Sequence, residues 1–120
     1  MFNKLRNVHL SRGEHAEQQA LDFLLDQGLR LLGRNYRCKN GELDLIMREN
    51  RTIVIVEVRF RSSERYGGAE ESITKRKQSR IIAATQHYIM NNKINSAIRF
   101  DVVAITNRQH VNWIKNAFQG

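Results

Sequence analysis

Ile53-Val54-Ile55-Val56-Glu57-Val58-Arg59-Phe60 decides the architecture of this 120-residue chain. Its density of β-branched residues marks a strand, and alternation sorts it into two unlike faces. Val54, Val56, Val58 and Phe60 form one unbroken apolar face, which should pack on a helix. The other face reads Ile53, Ile55, Glu57, Arg59 and Arg61. It begins apolar and ends charged, as a strand does when it runs out of a core into a cleft.

Upstream, Glu42 to Met47 alternates as well, with Leu43, Leu45 and Met47 on one face and Glu42, Asp44 and Ile46 on the other. A turn at Glu49-Asn50-Arg51 lets these two strands pair, which sets Asp44 and Glu57 side by side on one sheet face. Asn40-Gly41 is a hairpin signature and joins Glu42–Met47 to an earlier strand, Leu29 to Asn35. Before that, Ser11-Arg12-Gly13-Glu14 has the form of a capping box and opens a helix. Ala16, Ala20, Phe23 and Leu24 recur along it at helical spacing, Leu21 and Leu25 widen the stripe, and Gly28 ends it.

Downstream, Ser62 to Ser72 is polar, contains Gly67-Gly68 and reads as a loop. Thr74 caps a second helix with an apolar stripe of Ile81, Ala84, Tyr88 and Ile89, interrupted by Thr85. Arg99 to Ile105 is a further strand. Asn107 to His110 makes a turn, and Val111 to Ile114 a short final strand. The order α-β-β-β-α-β plus a terminal strand predicts an α/β fold, a mixed central sheet flanked by helices. The length implies one domain over residues 1–120, with residues 1–10 as a loose N-terminal arm.

With 41% apolar and 27% charged residues, the composition is that of a globular chain and excludes disorder. The apolar runs are too short to cross a bilayer, and no apolar stretch follows the charged start at Met1–Arg6. Cys38 is the one cysteine, so there is no disulfide framework; a reducing, cytoplasmic setting is expected. Twenty Lys and Arg against twelve Asp and Glu give +8 and a pI near 10.3. Residues 1–60 hold ten basic and eight acidic side chains, whereas residues 61–120 hold ten and four. The surplus points to an anionic partner, nucleic acid before lipid. His9, His15, His87 and His110 lack metal-binding spacing, and no glycine-rich phosphate loop follows a strand, which excludes P-loop nucleotide hydrolysis.

Two adjacent carboxylates repel unless something positive lies between them. A divalent metal does this for Asp44 and Glu57, since Mg²⁺ takes one or two carboxylates and keeps its waters for a phosphate ligand. Arg59, one pleat on, offers a plain ion pair instead. Glu17 is a third carboxylate on the apolar stripe of the first helix, where it is either a site residue or a partly exposed edge of the stripe. Lys75, Arg76, Lys77 and Arg80 crowd the first turns of the second helix, the end at which the macrodipole disfavours cations. With Arg59, Arg61 and Arg65 upstream, they read as contacts to a nucleic-acid backbone rather than a merely solvated face. Tyr66 is either a base-stacking or a plain loop aromatic. Asp101 reaches the cleft or pairs with Arg99, and Trp113 belongs to the core or lids it.

Taken together, Gly13-x-x-x-Glu17-x-x-Ala20-x-x-x-Leu24-x-x-x-Gly28, Asn35-Tyr36-Arg37, Gly41-Glu42-Leu43-Asp44-Leu45-Ile46, Val56-Glu57-Val58-Arg59 and Arg99-Phe100-Asp101-Val102-Val103 resemble the bacterial family typified by YraN. The match runs from about Gly13 to the C-terminus. That family looks like the restriction-endonuclease-like superfamily, closest in layout to Holliday-junction resolvases. The resemblance implies a restriction-endonuclease-like core in which Glu17, Asp44 and Glu57 hold Mg²⁺ or Mn²⁺. The superfamily pattern has a lysine two residues after the second strand acid, where this chain has Arg59. Arginine does not act as a base, although it grips phosphate oxygens in a transition state. Lys75 or Lys77 is the nearest substitute lysine by chain order.

Three functions follow from these features. The first is a Mg²⁺-dependent endonuclease on DNA, in preference to RNA, with branched or repair intermediates as substrates. The second is a nucleic-acid-binding module with weak or no catalysis, and the third an adaptor whose basic face meets an acidic protein. Resolvase-like enzymes often pair as two-fold dimers, so a homodimer is an expectation of the first.

Overall fold

The computed structural model of the chain describes residues 11–61, 73–106 and 110–120. The expected arm at 1–10, the loop carrying Arg65 and Tyr66, and most of the turn before His110 lie outside the described residues.

Helix α1 spans Arg12–Asp26, opened by the expected capping box: the Ser11 hydroxyl accepts from Glu14 N, and the Glu14 carboxylate accepts from Ser11 N. Gly28 follows its C-cap at φ +94°, a left-handed conformation that suits glycine. Three strands follow, β1 at Arg30–Cys38, β2 at Gly41–Glu49 and β3 at Thr52–Arg61. Helix α2, Lys75–Asn92, is capped by the Thr74 hydroxyl. Strands β4, Ile98–Thr106, and β5, Val111–Phe118, complete the chain. The sheet runs in order β1-β2-β3-β4-β5. Only β3 and β4 are parallel; the other neighbours are antiparallel.

The two faces of β3 separate two cores. Val54 and Val56 pack with Ala16, Ala20, Leu21 and Leu24 of α1. Ile53 and Ile55 pack with Ile81 and Ala84 of α2, and with Phe100 and Val102 of β4. α1 lies mainly over β3 and β4, and α2 lies over β2 and β1 on the opposite side. A five-stranded mixed sheet between two helices is therefore the architecture, as the order of elements implied.

Four local expectations are corrected. β1 continues to Cys38 rather than ending at Asn35, because the hairpin pairs Cys38 with Gly41. β5 runs to Phe118 rather than Ile114, held by Phe118 stacking on Phe100 and by Asn116 N donating to Asp101. Leu25 is 45% exposed and lies off the α1 stripe. Leu43 joins the α2 core rather than sharing the α1 face of Leu45 and Met47. The reason is an interruption at Asp44. Pairing with β1 steps from Tyr36↔Leu43 to Arg34↔Leu45, and pairing with β3 stops at Leu45↔Val56, so strict alternation does not carry through that residue.

Gly41 fixes the hairpin against α2. A Cβ there would lie 3.1 Å from the Arg80 carbonyl oxygen, so a larger residue would push the turn and α2 apart by a few tenths of an ångström.

Candidate metal centre

The antiparallel register of β2 and β3, extended one step past Leu45↔Val56, brings Asp44 opposite Glu57. Because the backbone ladder stops short, the amide of Val58 is left to a side chain and donates to Asp44 Oδ2 at 2.9 Å. The two carboxyl groups are close enough to act on each other's charge, and Glu57 is only 5% exposed. Burial first, then the neighbouring Glu57 charge, pushes the Asp44 pKa up to about 7. Such a pair must share a proton or hold a cation.

α2 supplies one cation directly. Lys77 Nζ lies 3.0 Å from Glu57 Oε2, because the Thr74 cap accepts from Lys77 N and starts the helix there. Arg59 stands on the same β3 face, with NH1 3.8 Å from the same oxygen. Of the two lysines offered by chain order, Lys77 therefore meets the acids, while Lys75 is exposed.

Glu17 reaches the neighbourhood from α1. Its carboxylate accepts from Arg34 NH2 at 3.2 Å, and the Asn35 side chain favours its charged form. Burial raises its pKa, with the Asp44 charge adding to that effect and Arg34 opposing it. Asn35 adopts φ +54°, a left-handed conformation that asparagine tolerates better than most residues. Among the described residues no three His, Cys, Asp or Glu side chains stand together as a metal-ligand set. The donors that do meet, Asp44 and Glu57, are hard oxygens in the number that Mg²⁺ or Mn²⁺ accepts from protein.

Similarity to known proteins follows the same residues. The model of the uncharacterised protein family UPF0102 matches residues 16–105, a span that contains Glu17, Asp44, Glu57, Arg59 and Lys77. The chain belongs to this family. A UPF0102 protein of Nitrosomonas europaea is 53% identical over 110 residues, covering 90% of this chain and 93% of its own. Another, from Pseudomonas fluorescens, is 50% identical over 113 residues, covering 92% and 94%. A third, from Saccharophagus degradans, is 51% identical over 112 residues. UPF0102 is thus the YraN-type family that the sequence resembles.

Among the basic residues anticipated as backbone contacts, Arg76 and Arg80 are exposed on α2 with Lys75, and Arg61 is half-buried at the end of β3. Asp101 takes the ion-pair alternative. It is 1% exposed and accepts from Arg99 Nε and NH2, Trp113 Nε1 and Asn116 N, each at 2.9 Å. Arg99 also donates to Glu49 at 2.7 Å, and these bonds raise its pKa further. Trp113 serves as packing, edge-on to Phe23 at 6.0 Å. Arg34 was missed from sequence as the partner of Glu17. Its only signal was its place in a strand edging the helix that carries Glu17. No described helix is long and apolar enough to cross a membrane.

Proposed function

We propose that this protein is a metal-dependent endonuclease with a restriction-endonuclease-like core, acting on DNA in preference to RNA. The observation that carries this reading is the Asp44–Glu57 pair, Glu57 buried and Asp44 half-buried, with Lys77 Nζ 3.0 Å from Glu57. Asp44 and Glu57 would hold Mg²⁺ or Mn²⁺, with Glu17 as the acid that approaches from α1. Bound there, the ion would polarise a phosphodiester and lower the pKa of a water.

The chain's own groups divide the remaining work. Lys77 Nζ, anchored on Glu57, provides the amine that the Arg59 position lacks and orients the attacking water. Arg59 reaches phosphate oxygens with a forked guanidinium suited to the charge of the transition state. Lys75, Arg76, Arg80, Arg61 and Arg65 hold the flanking backbone. Branched or repair intermediates are the substrates this reading favours, in the cytoplasm, with two copies pairing as a homodimer to match a symmetric junction.

The Arg34 bond to Glu17 favours a second reading, a nucleic-acid-binding module on the same fold. There the third acid serves to join α1 to β1. The deciding assay compares wild type with Asp44→Asn on linear, flapped and four-way-junction DNA, in Mg²⁺, Mn²⁺ or EDTA. Cleavage abolished by both EDTA and the substitution supports the nuclease. Salt-sensitive binding without cleavage selects the module, and weak, salt-insensitive binding selects a protein adaptor.

A further inference from the structure

At the end of the sheet remote from the carboxylates, the turn between β2 and β3 meets the segment between α2 and β4. Ile53 N donates to Ala97 O at 2.9 Å and ties the two together. Between them lies an open pocket of about 390 Å³ lined by Arg48, Asn50, Arg51, Thr52, Asn95 and Ser96. Its two charged groups are both arginines, and neither forms an ion pair among the described residues. Arg30 stands directly opposite Arg48 across the β1–β2 ladder, a like-charge placement that destabilises a sheet unless an anion offsets it.

Local needs do not account for these cations. Glu49, the acid beside Arg48, takes Arg99 and Lys115 instead. The α2 carbonyls at Tyr88, Ile89 and Met90 are taken by the Asn92 side chain and by Lys93 N and Ile94 N, so no arginine caps that helix. Lys75, Arg76, Lys77 and Arg80 occupy the other end of α2, and the helix between contains no Asp or Glu. A helix of this length spans about 27 Å, with positive charge at both ends and nothing to repel a polyanion between them.

Resting on the nuclease reading, we propose that the Arg48–Arg51 pocket is a second phosphate site, which grips the nucleic-acid backbone while the strand lies along α2. Thr52 precedes Glu57 by five residues of β3, about 17 Å at strand rise. That spacing corresponds to about five nucleotides at roughly 3.4 Å each. The pocket thus sets the length of backbone that must extend to one side of the scissile bond.

The test measures fluorescence anisotropy in EDTA with a labelled 20-bp duplex from 50 to 300 mM NaCl. It compares wild type, Arg48→Gln/Arg51→Gln and the opposite-face control Lys115→Gln, with urea midpoints to check folding. The double variant is expected to bind at least about tenfold more weakly at 100 mM, and its log–log salt slope to fall by about 2, for two phosphates released. A folded double variant with unchanged affinity and slope overturns the pocket, even where the wild type cleaves. Wild-type protein that binds here but never cleaves in the parallel Mg²⁺ or Mn²⁺ cleavage assay, with the slope reduced in the double variant, overturns the nuclease reading and leaves the pocket standing. Absence of wild-type binding overturns both.

Discussion

Asp44→Asn should stabilise the metal-free protein at alkaline pH. Asp44 has a pKa of about 7 in the fold against an ordinary 3.8, so the folded state binds its proton more tightly than the unfolded chain does. Stability is then highest when the carboxyl is protonated in both states and falls as pH rises from about 4 through 7. The full shift amounts to about 4 kcal/mol, of which about 2–3 kcal/mol is lost between pH 5 and pH 8. Asparagine still accepts from Val58 N, yet carries no proton to lose. Urea unfolding in EDTA at pH 5, 6, 7 and 8 should show the wild type declining and Asp44→Asn nearly level. Glu17→Gln serves as control for the smaller contribution of the same sign from Glu17, whose pKa is also raised. Mg²⁺ at pH 8 should restore wild-type stability and leave the variant unmoved. A flat wild-type profile in EDTA from pH 5 to 8 would refute the shared-proton description of the pair.

Lys77→Met should reduce cleavage at least about 100-fold, as loss of a positioned proton-handling group does, while DNA affinity in EDTA falls only a few-fold. Equal losses in both would make Lys77 a backbone contact alone. Gly41→Ala places a methyl 3.1 Å from the Arg80 carbonyl and should cost about 1–3 kcal/mol as overpacking, read as a lower urea midpoint. Asp101→Ala leaves the Trp113 and Asn116 donors unpaired and Arg99 with Glu49 alone, and should cost about 1–3 kcal/mol. A loss below about 1 kcal/mol would show that water replaces the carboxylate. Ser11→Ala removes half of the capping box and should lower stability by about 1 kcal/mol.

The sequence makes the layers legible because β3 carries two apolar faces of different composition, and each requires its own helix. It also brings Asp44 beside Glu57, since a hairpin register follows from the turn and the alternation on either side. What it conceals is local. The face of Leu43 depends on a ladder that ends at Leu45↔Val56, and the left-handed Asn35 leaves no mark in a hydropathy pattern. β5 reads short because Asn112, Lys115 and Asn116 dilute its apolar residues; its length comes from Phe118 on Phe100 and from the Asp101 bonds, all contacts distant in sequence. The substitute lysine was narrowed to two by chain order, and the choice of Lys77 needed the phase of α2 relative to β3.

The Val58 amide gives the centre its own reporter. Its proton rests on Asp44 Oδ2, so its ¹⁵N–¹H resonance should move with the charge on that oxygen and trace the carboxyl titration at a single backbone site. Divalent ions competing for the same oxygen would shift that peak without any nucleic acid present. Occupancy of the centre can thus be followed in solution by one cross-peak, independently of whether a phosphodiester is ever cut.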